Sequence, residues 1–132
     1  MFNLYVTQKT AVMRKILIVD DEPNIVMSLE YTFKKNNFEV FIARDGQEAL
    51  DILQNQLPDV IILDVMMPLV DGFETLEQIK KNERLQHCKV MFLSAKNKES
   101  DIEKGMALGA DAYLTKPFSI KKVVEKVNEL LA

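Results

Sequence analysis

The stretch DVIILDVMMP, residues 59–68, decides the fold. Val60, Ile61, Ile62 and Leu63 are apolar without a break, so a strand through them must be covered on both faces, as central strands of parallel sheets are. Asp64 ends the run. A carboxylate is out of place inside such a core. It fits at the carboxyl end of the strand, where open parallel sheets meet their ligands.

Outward from this stretch the same pattern recurs. Predicted strands cover residues 15–20, 38–43, 59–64, 89–94 and 112–115, separated by segments of helical period, which is the alternation of βα units around a parallel sheet. The first, third and fourth runs are continuously hydrophobic and belong in the centre; the second and fifth belong nearer the edges. Pro23 suits a first helical turn, and Ile25, Leu29 and Phe33 then make one apolar face. Gly46 opens a second helix through Ala49, Leu50 and Leu53, and Pro58 closes the turn after it. A third starts near Gly72 with Phe73, Leu76 and Ile79 inward. The fourth spans about residues 98–108 and stops at Gly109, a left-handed terminator. Ser119 caps the fifth, whose Ile120, Val123, Val124, Val127, Leu130 and Leu131 form an apolar stripe.

The 132 residues fit one domain, and nothing after the last helix is left within them for an output domain. Residues 1–13 have no sustained period and are expected to be a flexible extension; residues 14–132 form the domain. Twenty acidic and seventeen basic residues give a net charge of -3, which offers no global attraction to nucleic acid or an anionic membrane. Apolar runs of about four residues fall far short of the roughly 20 needed to span a bilayer. One cysteine, Cys88, excludes an internal disulfide framework and a cysteine-rich zinc site. With no signal-peptide pattern, the expected compartment is the cytoplasm.

The strand ends carry the chemistry. They hold Asp20-Asp21, Asp64, Ser94-Ala95 and Lys116-Pro117, so carboxylates, a hydroxyl and an ammonium converge at one edge of the sheet. At ~5 Å and an effective dielectric near 20, each carboxylate pair repels by roughly 3 kcal/mol. Lys116 can offset one charge and a divalent cation two. Mg²⁺ suits hard oxygen ligands and leaves positions for phosphoryl oxygens. Asp64 then reads as a nucleophile that accepts a phosphoryl group as an acyl phosphate, with Ser94 and Lys116 meeting phosphoryl oxygens.

ILIVDDEPN (16–24), DVIILDVMMPLVDGFE (59–74), VMFLSAK (90–96) and GADAYLTKPFS (109–119), in this order, resemble a response-regulator receiver domain of two-component signalling. The resemblance implies a flavodoxin-like, doubly wound α/β fold: a five-stranded parallel sheet in order 2-1-3-4-5 flanked by five helices. It further implies that Asp20, Asp21, Asp64 and the Met66 backbone carbonyl hold Mg²⁺, that Asp64 is the phosphoacceptor, and that Ser94 and Lys116 contact the phosphoryl group. The Lys116-Pro117 bond would be cis, and Tyr113 would be an aromatic switch that turns inward as Ser94 moves toward phosphate. The donor would be a histidine of a separate kinase or phosphotransfer protein. The output face would be the fourth helix, fifth strand and fifth helix, about residues 98–131, binding a protein target or a second copy. Such a domain is a phosphoacceptor, not an enzyme with an external substrate. Met66 cannot orient an attacking water and Lys96 can cover the phosphoryl site, so slow self-dephosphorylation is expected.

Two other function classes compete. An aspartyl-phosphate hydrolase of haloacid-dehalogenase type needs a second Asp two residues after the nucleophile, where Met66 stands. A phosphate-independent interaction module would leave the acidic, hydroxyl and lysine set without use. Plainer readings also exist for single residues. Asp59, Asp71 and Asp111 read as turn or capping residues, Ser94 could bond backbone, and Tyr113 could be edge-strand packing. His87 reads as a solvated residue, Cys88 as packing, and the lysine pairs at 80–81 and 121–122 as solvated helix faces.

Overall fold

Eleven short elements follow one another in the computed structural model, which describes residues 13–132: β1 (Arg14–Val19), α1 (Pro23–Lys35), β2 (Phe38–Ala43), α2 (Gly46–Ile52), β3 (Val60–Leu63), α3 (Gly72–Lys81), a 3-10 turn (Glu83–Leu85), β4 (Lys89–Ser94), α4 (Glu99–Ala107), β5 (Ala112–Thr115) and α5 (Ile120–Leu131). The extension expected at 1–13 lies, apart from Met13, outside the described residues. All strand pairings are parallel and the order is β2-β1-β3-β4-β5, with β2 and β5 at the edges as their weaker hydrophobicity requires.

Alternate residues of each central strand feed opposite faces. Ile16 and Ile18 of β1 and Val60 and Ile62 of β3 pack with Leu29 and Phe33 of α1 and Val123 and Val127 of α5. Leu17 and Val19, with Ile61 and Leu63, pack instead with Ala49 of α2 and Phe73, Leu76 and Ile79 of α3. A fully buried side chain of this size contributes about 1.5–3 kcal/mol, so two complete layers explain why the strands read as unbroken apolar runs.

Three of the five helices start at a side-chain cap. Carboxylate oxygens of Asp45 and Asp71 accept from the amides of Glu48 and Glu74, each at 2.8 Å, and the Ser119 hydroxyl accepts from the Lys122 amide at 3.0 Å. Gly109, at φ +108°, ends α4 in a conformation closed to most side chains. β1 and β3 each end one residue earlier than expected, at Val19 and Leu63. The Asp20 and Asp64 amides still donate to the carbonyls of Ala43 and Val19, at 3.1 and 2.9 Å. Their side chains, however, turn back to accept from the amides of Glu22 (2.9 Å) and Met66 (3.3 Å), which bends the chain out of the sheet. The 3-10 turn was not anticipated; it rests on the Asn82 side chain, which accepts from the Arg84 amide at 3.0 Å, and three residues are too few to show a period.

At the opposite end of the sheet Asp59 and Asp111 act as the structural residues their positions suggested. Asp59 donates its amide to the Lys15 carbonyl (2.8 Å) and accepts the Lys15 amide on its carboxylate (2.7 Å). Asp111 does the same with Val90, both at 2.8 Å. Each closed ring fixes the starting register of a strand pair. Losing a part-buried bond of this kind costs about 1–3 kcal/mol, so Asp111→Ala should lower the urea-unfolding free energy by that amount without changing the slope.

Leu69 sits at φ +67° and is 82% exposed, so its side chain gains little packing for a conformation that costs roughly 1–2 kcal/mol. Leu69→Gly relieves that strain against a smaller loss in unfolded-chain entropy, and the same urea titration should show a gain of up to about 1 kcal/mol.

Candidate functional site

The sheet order reverses at β1, whose neighbours are β2 on one side and β3 on the other, and the crevice at such a reversal opens beyond the strands' carboxyl ends. Asp20 and Asp21 follow β1, and Asp64 follows β3. One carboxylate oxygen from each of the three lies within 4.8 Å of the others. Asp20 and Asp64 are buried and Asp21 is exposed at the lip.

Lys116, which follows β5, reaches across this crevice. Its ammonium donates to Glu22 Oε1 at 2.8 Å, Asp20 Oδ2 at 3.0 Å and Asp64 Oδ2 at 3.3 Å, one acceptor for each of its three protons. Burial alone would push the ammonium down; the hydrogen bonds to Glu22 and Asp20 and the charge of Asp64 outweigh it, and the group is held above the ordinary lysine range. Asp20 is pushed up from the usual carboxylate value, first by burial, with Asp64's charge adding to it and the bonds from Glu22 and Lys116 opposing it. The Lys116-Pro117 peptide is cis, as the resemblance implied.

Ser94 ends β4 fully buried, and its Oγ accepts from the Lys96 amide at 3.2 Å. That bond uses the hydroxyl as acceptor, and the same hydroxyl hydrogen-bonds the Tyr113 side chain, which opposes the upward push on the phenol. Tyr113 on β5 donates its hydroxyl to the Lys96 carbonyl at 2.7 Å, and its ring lies 5.5 Å from that of Phe92. Burial, and then the charge of Asp101, holds the phenol above its ordinary value. Met66 leaves its thioether half exposed beside Asp64. Lys96 Nζ stands 4.0 Å from Asp101, and Lys104 Nζ lies 4.6 Å above the Phe73 ring. These groups, with Asp21 and Met66, line an open cleft of about 610 Å³ next to the aspartates.

The fold thus brings the expected acids, hydroxyl and ammonium to one edge. Reading the strand ends missed Glu22, the shortest of Lys116's contacts; its only signal is the third acid of the run DDE (20–22). His87 is exposed and away from this edge, and Cys88 is buried with its thiol pushed up to about 11 by burial, as its packing role requires. Among the described residues, no buried side-chain nitrogen or oxygen lacks a hydrogen-bond partner, and no helix is long and apolar enough to cross a membrane.

The donor set is all hard oxygen. An octahedral Mg²⁺ with bonds of 2.0–2.1 Å needs ligand oxygens about 2.9–4.2 Å apart, and one oxygen from each of these carboxylates lies within 4.8 Å of the others, close to that spacing. The residues fit the ion.

Residues 16–128 match the family profile of the response regulator receiver domain. The chain is 42% identical over 118 residues to the alkaline phosphatase synthesis transcriptional regulatory protein PhoP of Bacillus subtilis, covering 89% of this chain and 48% of that protein. It therefore spans about half the length of that curated relative. Among solved structures, the receiver domain of the Francisella response regulator 1452 superposes with a TM-score of 0.82 at 36% identity, over 89% of this chain and 96% of that one. The chemotaxis response regulator CheY4 of Vibrio cholerae superposes with a TM-score of 0.86 at 32% identity, over 91% and 100%. With a five-stranded parallel sheet in the order found here and a profile match over most of its length, this chain belongs to the response-regulator receiver domains, the regulatory phosphoacceptor modules of two-component systems.

Proposed function

We propose that Asp64 accepts a phosphoryl group from a histidine kinase or phosphotransfer protein, and that the phosphorylated domain signals through the face formed by α4, β5 and α5. The observation that carries this reading is the single ammonium of Lys116 held between Asp20, Glu22 and Asp64, with the exposed Asp21 of the same acidic cluster opening onto a cleft beside it. Asp20, Asp21, Asp64 and the Met66 carbonyl would hold Mg²⁺, which neutralises charge on the acceptor carboxylate and on the incoming phosphoryl oxygens when bound.

The chain's own residues do the rest. An Asp64 carboxylate oxygen forms a bond to phosphorus as the bond to the donor nitrogen or oxygen breaks, and the donor leaves with that electron pair. Little covalent assistance is needed in such a transfer; position and charge dominate. Lys116 loses the Asp64 carboxylate as a full negative partner and gains a phosphoryl oxygen instead, so its three protons stay satisfied. The Ser94 hydroxyl, a hydrogen-bond partner of Tyr113, can turn its proton to a second oxygen. Both contacts exist only in the phosphorylated form, which is what biases a two-state domain.

Three outcomes follow. Acetyl phosphate with Mg²⁺ should label the chain stoichiometrically, and Asp64→Asn should abolish labelling; continuing release of phosphate from an ester without a labelled form would instead favour the hydrolase reading. Because the charged form of Asp20 is disfavoured despite Lys116, Asp20→Asn in chelator should melt roughly a few °C above the wild type and gain less from millimolar Mg²⁺ than the wild type does. Met66 offers no acceptor to orient a water, so Met66→Asn should shorten the lifetime of the labelled form by about tenfold, roughly 1.4 kcal/mol of barrier; equal decay rates in a gel-shift or radiolabel chase would dispose of that role.

A further inference from the structure

Helix α4 rests on the sheet through a backbone contact. Of its nine residues only Gly105 is buried. A Cβ built on Gly105 would lie 3.0 Å from Tyr113 Cδ2 and 3.1 Å from both Cδ2 and Cε2 of Phe92. Carbon atoms in contact prefer about 3.5–4.0 Å, so a methyl group there must displace something. Alanine is the better residue for a helix interior, so α4 itself gives no reason for glycine at this position.

Packing decides which neighbour yields. Phe92 is fully buried and wedged edge-on against Phe73, with centroids 5.4 Å apart. Tyr113 is half-buried on the edge strand β5. Its ring can swing outward, and doing so would break the bond from its hydroxyl to the Lys96 carbonyl. Lys96 in turn donates its amide to Ser94 Oγ, so one tight turn joins the ring to the wall of the acidic crevice.

We propose that Gly105 is a positioning residue: its missing side chain is the seat of the Tyr113 ring, and filling that seat uncouples α4 and β5 from the crevice while leaving the chemistry at Asp64 intact. The seat rests on geometry alone, whereas the coupling rests on the phosphoacceptor reading of Asp64.

The test incorporates 3-fluorotyrosine into the full chain and identifies the Tyr113 resonance by its loss in Tyr113→Phe. Gly105→Ala should move that resonance at least halfway toward its position in the urea-unfolded chain. Labelling of Asp64 by acetyl phosphate should stay within twofold of wild type, and the shift that beryllofluoride with Mg²⁺ induces at Tyr113 should fall at least threefold. A Tyr113 resonance unmoved by Gly105→Ala, or a beryllofluoride response of wild-type size, overturns the proposal. A wild type that takes no phosphate, beside a variant whose Tyr113 is still displaced, defeats the phosphoacceptor reading and upholds the seat. Should Gly105→Ala alone fold poorly, the substitution is repeated in Tyr113→Ala, where the ring is gone. There the added methyl still meets Phe92, so its effect on the unfolding midpoint should fall to less than half of that seen with the ring present; a penalty of half or more of that size overturns the proposal.

Discussion

The Lys116 ammonium, shared among Asp20, Glu22 and Asp64, is the contact on which the rest of the structure depends. Two of these carboxylates are buried, and each pair of like charges at such range costs about as much as one large core side chain contributes. A small domain tolerates that only if the core is complete and a cation arrives. Lys116 lies 96 residues beyond Asp20, so the cation is delivered by the topology, through β5, and not by local sequence. One ammonium is nevertheless short of the three negative charges it serves. The resulting deficit makes the crevice receptive to further positive charge and to a ligand that redistributes the negative charge.

Much of this was legible in the amino-acid order because burial on both faces leaves a plain record. Four-residue runs such as Val60 to Leu63 cannot be half-solvated strands, and the polar residues that end them cannot be core. Two helix starts were legible for a similar reason, since Asp71 and Ser119 stand where an orphaned amide needs an oxygen, whereas the cap that Asp45 supplies to α2 went unread. What escaped was set by contact rather than by pattern. Glu22 follows two acids already assigned to the strand end, and only the reach of Lys116 singles it out. The carbonyl of Lys96 has no side-chain signature at all, yet it receives the Tyr113 hydroxyl. Gly105 reads as an ordinary interruption of a helical period until the rings of Phe92 and Tyr113 are found beneath it.

The two faces of the sheet are built differently. Beneath α1 and α5 the packing is aliphatic with Phe33 set edge-on to Phe38, and large buried side chains come from both helices. Beneath α3 and α4 an aromatic row runs from Phe73 through Phe92 to Tyr113, and it ends at the half-buried edge. Lys104 adds a cation over its inner end. The row connects the helix that follows Asp64 with the strand that precedes Lys116. α4 covers it with little apolar anchorage of its own, which makes that helix the least firmly held part of the layer.

The rings closed by Asp59 and Asp111 bear on how the domain responds to charge. They clamp the starts of β1 with β3 and of β4 with β5, at the end of the sheet remote from the acids. A strand so clamped cannot slide along its neighbour. Any rearrangement provoked at the acidic rim is therefore denied a longitudinal outlet and must spread sideways, into the loops and the helix layer above them. Pinned at the end remote from the acids, the sheet leaves the loops and the helix layer as the parts nearest the rim that are free to yield.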